Sequence, residues 1–260
     1  MNIAVVTGAS SGMGREFVRL LDNEGLDEIW GIALEKELLE KVKSETKTNF
    51  KVMAFDLTDA SSLIKIKNEL ALAKANVKWL INCSGFGKFG RYDEIPVEQS
   101  LNMILLNCSA LVGLTEYSLP FMTKGARIVE IASVASFQPV PYINVYSATK
   151  SFVLNYSRAL RVELKDREIS VTCVCPFWTK TAFFKRAESP SNKVVSKYIA
   201  LYEPTDVINK AFKDAKANKE LSIFGFKARA QVRLVKMCPP KMVMSTWVKQ
   251  QKLDKKYRGK

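Results

Sequence analysis

Near the start of the chain an apolar run, Asn2 to Val6, leads directly into Thr7-Gly8-Ala9-Ser10-Ser11-Gly12-Met13-Gly14, and Arg15-Glu16-Phe17 then opens a helical pattern. Glycines at these spacings permit a tight turn whose backbone can approach a pyrophosphate, held on the positive N-terminal end of the helix. A glycine pattern alone is a weak signal; its place between the first strand and the first helix gives it meaning. The same unit limits the fold, because a strand that runs into a helix returns to its sheet as a parallel neighbour through a right-handed crossover.

The alternation continues along the chain. Apolar runs recur at Glu28 to Ala33, Lys51 to Phe55, Lys78 to Asn82, Arg127 to Ala132, Ser170 to Cys175 and Leu221 to Phe224, which with the first makes seven candidate strands. Helical spacing of apolar residues fills the intervals at Gly14 to Glu24, Leu34 to Glu45, Ser61 to Ala73, Val97 to Met122, Tyr146 to Arg167 and Thr205 to Ala217. The expected fold is α/β, a Rossmann-type doubly wound, seven-stranded, mainly parallel sheet with helices on both faces and a ligand crevice beyond the carboxyl ends of the strands. Residues 1–225 read as one dinucleotide-binding and catalytic domain, and 226–260 as a basic amphipathic extension.

Composition removes several kinds of chemistry. The chain has no histidine, so Ser-His-Asp and Cys-His hydrolysis and histidine metal sites are excluded, and no metal is expected. Its five cysteines lack the paired spacing of a zinc site or disulfide framework, and read as reduced core thiols of a cytoplasmic protein. No stretch reaches the roughly eighteen uninterrupted apolar residues of a membrane span, and no basic leader precedes the first strand.

Acid/base work must then fall to other side chains. The fifth strand ends in Glu130-Ile131-Ala132-Ser133, and Tyr146-Ser147-Ala148-Thr149-Lys150 opens a long helix. An i, i+4 spacing puts Tyr146 and Lys150 on one helix face, where the ammonium is expected to lower the phenol pKa towards the working range. Ser133, at the end of its strand, can hydrogen-bond the same substrate oxygen and stabilise charge that develops there.

This ordered set resembles the short-chain dehydrogenase/reductase family over about residues 2–225. Thr7, Gly8, Gly12 and Gly14 match that family's first turn, and Asn107, Ser133, Tyr146 and Lys150 match its Asn-Ser-Tyr-Lys tetrad. The resemblance implies an NAD(P)-dependent oxidoreductase that moves hydride between nicotinamide and a carbonyl or secondary alcohol. It assigns the acid/base role to Tyr146 and a hold on the nicotinamide ribose to Lys150, and has Asn107 support a water that links Lys150 to solvent. Beyond the turn residues, including Ser10, Ser11, Met13 and Arg15, it places the cofactor against Leu34, Asp56-Leu57 near the adenine, and Asn82, Cys83 and Gly85 after the fourth strand. Pro176, Thr179 and Thr181 follow the sixth strand, with Thr181 at the carboxamide. It also implies a homodimer or homotetramer through the helices at 97–122 and 146–167. Two departures stand out. Cys83 replaces an asparagine that braces the crevice, and Phe177 replaces a glycine after Pro176, so the rigidity of one wall and the turn of the other are open.

Cofactor choice is read at the end of the second strand. Leu34 occupies the decisive position; Glu35 would repel a 2′-phosphate whereas Arg15 and Lys36 could pair with it, and the balance tips slightly to NADP(H). Candidate substrate contacts are Phe86, Ser133, Phe137, Tyr142, Tyr146 and Trp178, within a wider set of aromatic residues that favours an apolar, steroid-like or acyl-like compound.

Beyond Phe226 the character changes: residues 227–260 carry eleven Lys or Arg and one acidic residue, Asp254, with Pro239-Pro240 dividing two short amphipathic helices. Two readings stay open for this extension: a helical flap on the substrate mouth with 255–260 frayed, or a peripheral membrane contact, Trp247 included. Nucleic-acid binding has no recognisable reading module. The alternative to an enzyme is a dinucleotide-sensing or membrane-surface binding protein that kept the fold and lost turnover.

Overall fold

The computed structural model describes residues 1–187 and 194–256; residues 257–260, part of the stretch expected to fray, lie outside the described residues. The strands are β1 (Asn2–Thr7), β2 (Glu28–Ala33), β3 (Asn49–Ala54), β4 (Asn76–Asn82), β5 (Arg127–Ile131), β6 (Ser170–Val174) and β7 (Leu221–Ser222). They form one sheet in the order β3-β2-β1-β4-β5-β6-β7, and every pairing is parallel. The order reverses between β1 and β4, which opens a crevice at their carboxyl ends.

Helices cover both faces: α1 (Gly12–Leu21), α2 (Lys36–Glu45), α3 (Ala60–Leu72), α4 (Val97–Ile104), α5 (Leu111–Ser118), α6 (Asn144–Glu163), α7 (Phe183–Ala187), α8 (Pro204–Lys216), α9 (Phe226–Met237), α10 (Pro240–Gln250) and α11 (Leu253–Lys256). Strand alternation divides the core between the faces. Ile3 and Val5 of β1 share one cluster with Ile66 and Leu70 of α3, Leu114 of α5 and Leu160 of α6, whereas Ala4 and Val6 meet Phe17 of α1, Leu39 of α2 and Phe212 of α8. Each such fully buried aliphatic or aromatic side chain stabilises the fold by about 1.5–3 kcal/mol relative to exposure.

The helix expected at Val97 to Met122 is continuous but not uniform. A π turn, Leu105–Ala110, joins α4 to α5, and it carries Asn107. Taken as Val97–Phe121 this helix is long and apolar enough, by composition, to cross a membrane. Its Met103, Leu111 and Leu114 are buried in the protein core, the arrangement of a helix packed on a sheet.

The extension divides at Pro239-Pro240 as its pattern predicts, and it packs on the body. Trp247 of α10 is buried, stacks on Trp178 at 6.4 Å and donates its indole N–H to the Pro141 carbonyl at 3.0 Å. Gln251 accepts from the Ser196 and Lys197 amides through Oε1 at 2.8 and 3.0 Å, and its Nε2 donates to the Lys197 carbonyl. The extension is therefore a flap over the body, and Trp247 faces inward.

Candidate active site

The glycine turn closes through contacts that only glycine permits. Gly8 and Gly12 have φ of +65° and +51°, and a Cβ on Gly14 would lie 2.1 Å from the Gly8 carbonyl oxygen. Ser11 is the N-cap of α1 and makes no side-chain cap, so first-turn amides remain for an anion. Thr181 lies against Gly12, its Cγ2 3.5 Å from where a Cβ would stand. This cradle fits a dinucleotide pyrophosphate. Across the switch point the Thr7 hydroxyl accepts from the Cys83 and Ser84 amides, each at 2.9 Å. That bridge ties β1 to the end of β4 through backbone, so Cys83 does not loosen the crevice. Burial pushes its thiol up to about 12, which leaves it an unreactive wall residue.

Some expected cofactor contacts point elsewhere. Leu57 is buried in the core, and the Asn82 amide donates to Thr115 Oγ1 at 2.8 Å and Glu130 Oε1 at 3.1 Å, turned away from the crevice. Asp56 is exposed, and its Oδ1 accepts from the Thr58 amide and hydroxyl at 2.9 and 2.7 Å. Leu34 is exposed beyond β2. The charges beside it are paired: Glu35 with Arg186 at 2.9 Å, and Arg15 with Glu45.

The tetrad residues converge from separate elements. Ser133 caps a 3-10 turn, Val134–Phe137, at the end of β5, in a reciprocal capping box with Ser136. Lys150, buried on α6, donates to the Ile131 carbonyl at 2.7 Å, and its Nζ stands 5.9 Å from the Tyr146 ring centroid. Asn107 clamps Phe86 by accepting from its amide at 3.1 Å and donating to its carbonyl at 2.9 Å. A Cβ on Gly85 would touch both Asn107 Oδ1, at 2.9 Å, and Lys150 Nζ, at 3.3 Å, so the absence of a side chain at Gly85 keeps this junction open. Pro176 and Thr179 line the far wall, with Thr179 Oγ1 donating to the Phe177 carbonyl at 2.9 Å.

One expectation about this pair is corrected. Burial raises the Tyr146 phenol to about 12, and the Ser133 hydroxyl only partly offsets that; Lys150 does not bring it down. Burial also lowers Lys150 from its ordinary value. Loss of water costs the phenolate more than a cation bound to the Ile131 carbonyl returns. Tyr146 thus keeps its proton at neutral pH.

Tyr146, Ser133, Lys150 and Trp178 border a mostly apolar cavity of about 130 Å³. A volume of that order takes about one benzene-sized ring. Three expected substrate contacts fall outside its lining. Phe86 is held by Asn107; Phe137 packs into the core with Lys236 over its ring at 4.8 Å; Tyr142 sits in a turn with a backbone φ of +66°. In their place the flap contributes Gln231, Trp247 and Gln250, residues that sequence reading did not assign to the pocket. Phe177 fills the wall where a glycine was expected, packed at 6.0 Å from Trp178 and 6.5 Å from Tyr202.

Residues 2–192 match the family model described as short chain dehydrogenase. The chain belongs to the short-chain dehydrogenase family. It is an NAD(P)-dependent oxidoreductase of the kind that acts on carbonyl and CH–OH groups. Over 196 residues it is 34% identical to the very-long-chain 3-oxoacyl-CoA reductase of Bos taurus, a match spanning 70% of this chain and 62% of the relative. A short-chain dehydrogenase from Sphingobium yanoikuyae in complex with NADPH superposes with a TM-score of 0.76 at 25% identity, covering 94% of this chain and 96% of that one. A family member from Burkholderia phymatum in complex with NAD has the same fold, with a TM-score of 0.79 at 19% identity and coverage of 90% and 92%.

Proposed function

We propose that the protein reduces the carbonyl of a small apolar ketone, or of the ketone end of a larger apolar molecule, with NADPH as the hydride source. The observation that carries this reading is the convergence of Tyr146, Ser133 and Lys150 on one cavity of otherwise apolar character. A bound nicotinamide dinucleotide would supply the hydride. Ser133 orients the substrate oxygen, Tyr146 gives it a proton, and the Ser133 hydroxyl stabilises the phenolate that remains. Asn107 holds the Phe86 backbone and so shapes the mouth next to Lys150.

The pairing of Glu35 with Arg186 supports NADP(H), because it neutralises the carboxylate that would repel a 2′-phosphate; Arg15, paired with Glu45, would exchange that partner for the phosphate. The relative that reduces 3-oxoacyl-CoA supports an apolar substrate in kind. Two amide oxygens, Gln138 Oε1 and Gln231 Oε1, belong to residues that border the cavity and are buried without a hydrogen-bond partner among the described residues. A hydroxyl on the substrate would satisfy one of them, so hydroxylated ketones are the better candidates within the class.

Exposed Leu101, Ile104 and Leu105 on the long helix, with Phe152 on α6, support association with a second copy. Free thiols at Cys83, Cys108, Cys173, Cys175 and Cys238 support residence in the reducing cytoplasm. The test is oxidation of NADPH and NADH against ketones with and without a hydroxyl, run with the unaltered chain and Tyr146→Phe. Turnover with NADPH should fall by about 10²–10⁴ in the variant with dinucleotide binding retained; a variant at near-normal rate overturns the mechanism.

A further inference from the structure

Helix α9 has two apolar faces. Ala228 and Val232 are buried against the body, and Val235 shares their side. On the opposite side, at helical spacing, lie Phe226, Ala230, Leu234 and Met237, all exposed: Phe226 at 76%, Leu234 at 62% and Met237 at 84%. A core-packing helix has no use for this second stripe, which leaves large apolar groups in water. The α9–α10 elbow extends it with Met242, also exposed.

Cations flank the stripe. Lys227 lies along one edge and Arg233 and Arg229 along the other, with Lys241 beyond the elbow; Lys236 turns back over Phe137 of the body. Between Glu220 and Asp254 there are seven basic residues and no acidic one. Apolar side chains edged by cations, with no carboxylate to repel an anionic surface, match the chemistry of an interfacial helix, which buries its apolar face among acyl chains and pairs its edges with headgroup phosphates.

We propose that the outer face of α9 and the α9–α10 elbow dock on a lipid bilayer bearing anionic headgroups. The inner face of the same flap supplies Gln231, Trp247 and Gln250 to the cavity. Docking therefore places the substrate mouth at the lipid surface, where an apolar carbonyl compound is concentrated. Trp247, stacked on Trp178, stays with the protein, and the anchors are Phe226, Leu234, Met237 and Met242.

The test is co-sedimentation of the full chain with phosphatidylcholine vesicles, with and without phosphatidylglycerol, at low and high salt. The unaltered chain should pellet with the anionic vesicles and be released by salt. Leu234→Gln with Met237→Gln should weaken binding about tenfold or more, and Lys227→Glu with Arg233→Glu should weaken it by at least about fivefold per cation removed. Both pairs face away from the cavity, so their NADPH affinity and melting temperature should match the parent, which separates lost docking from lost folding. Absence of pelleting by the unaltered chain, or pelleting by both pairs equal to that of the parent, overturns the proposal. So does light scattering that shows the stripe holding two copies together without vesicle binding. Vesicle binding is read without turnover, so a failure of the proposed reduction leaves this result standing.

Discussion

The two walls of the active-site crevice are built on different principles. The cofactor wall, from the Thr7–Gly14 turn to the end of β4, is held by backbone geometry: two glycines at positive φ, a helix-to-strand approach at Gly14, and a threonine bridge at Thr7. The substrate wall is held by side chains meeting from distant segments, with Trp178 against Trp247 and Ser196 against Gln251. In the proposed reduction the first wall fixes where hydride is delivered and the second decides what receives it. A backbone-built wall fails abruptly when one atom is added, whereas a side-chain wall changes by degrees as contacts are removed.

Gly14→Ala presses hardest on that contrast. The added Cβ meets the Gly8 carbonyl at 2.1 Å, and the obstacle is backbone that cannot swing aside. Dinucleotide binding, followed by nicotinamide fluorescence, should be lost altogether while circular dichroism still reports the α/β fold. Retained affinity would mean that the turn has slack and that the cofactor wall is not backbone-limited.

The same contrast explains what was legible in the sequence. Gly8, Gly12, Gly14, Tyr146 and Lys150 act through local spacing, and local spacing is visible in a string of residues. Strand and helix positions were legible for the same reason, down to the Pro239-Pro240 division of the extension. Gln231 and Trp247 act through the elements they meet, which lie far from them in the chain, and nothing in their own surroundings names that partner. Phe137 and Tyr142 misled because aromatic residues after a strand can turn to core or crevice, and a +66° φ at Tyr142 is not encoded by tyrosine itself. The phenol pKa was misjudged because i, i+4 spacing reveals a neighbour but not the loss of water around it.

Trp247→Ala addresses the other wall. It removes the stack on Trp178 and the hydrogen bond to Pro141, and leaves a cavity under α10. Unfolding in urea should show a loss of about 3 kcal/mol, within the range for a buried tryptophan. The KM for a ketone should rise severalfold with NADPH affinity unchanged, since Trp247 packs against the substrate wall and not against the glycine turn. Equal losses for both ligands would show the walls to be coupled and would dissolve the distinction.

The subtlest effect lies beneath both walls. Glu130 of β5 is fully buried, with Oε1 accepting from Asn82 and Thr115 and Oε2 without a hydrogen-bond partner among the described residues; desolvation raises its carboxyl from 4.5 to about 7. A raised folded-state pKa means that stability linked to this group is full below about 4.5 and is lost as pH climbs through about 7. Glu130→Gln keeps an amide oxygen for Asn82 and Thr115 but has no charge to bury. It should match the parent in acid and exceed it above neutrality by up to about 3 kcal/mol, read as a pH-dependent gap in urea midpoints. A gap of constant size across that range would mean that Glu130 titrates in the folded chain as it does in the unfolded one, its ionised form no costlier when buried than in water. Lys150, whose ammonium favours the ionised carboxylate, would then be the neighbour that offsets the loss of water.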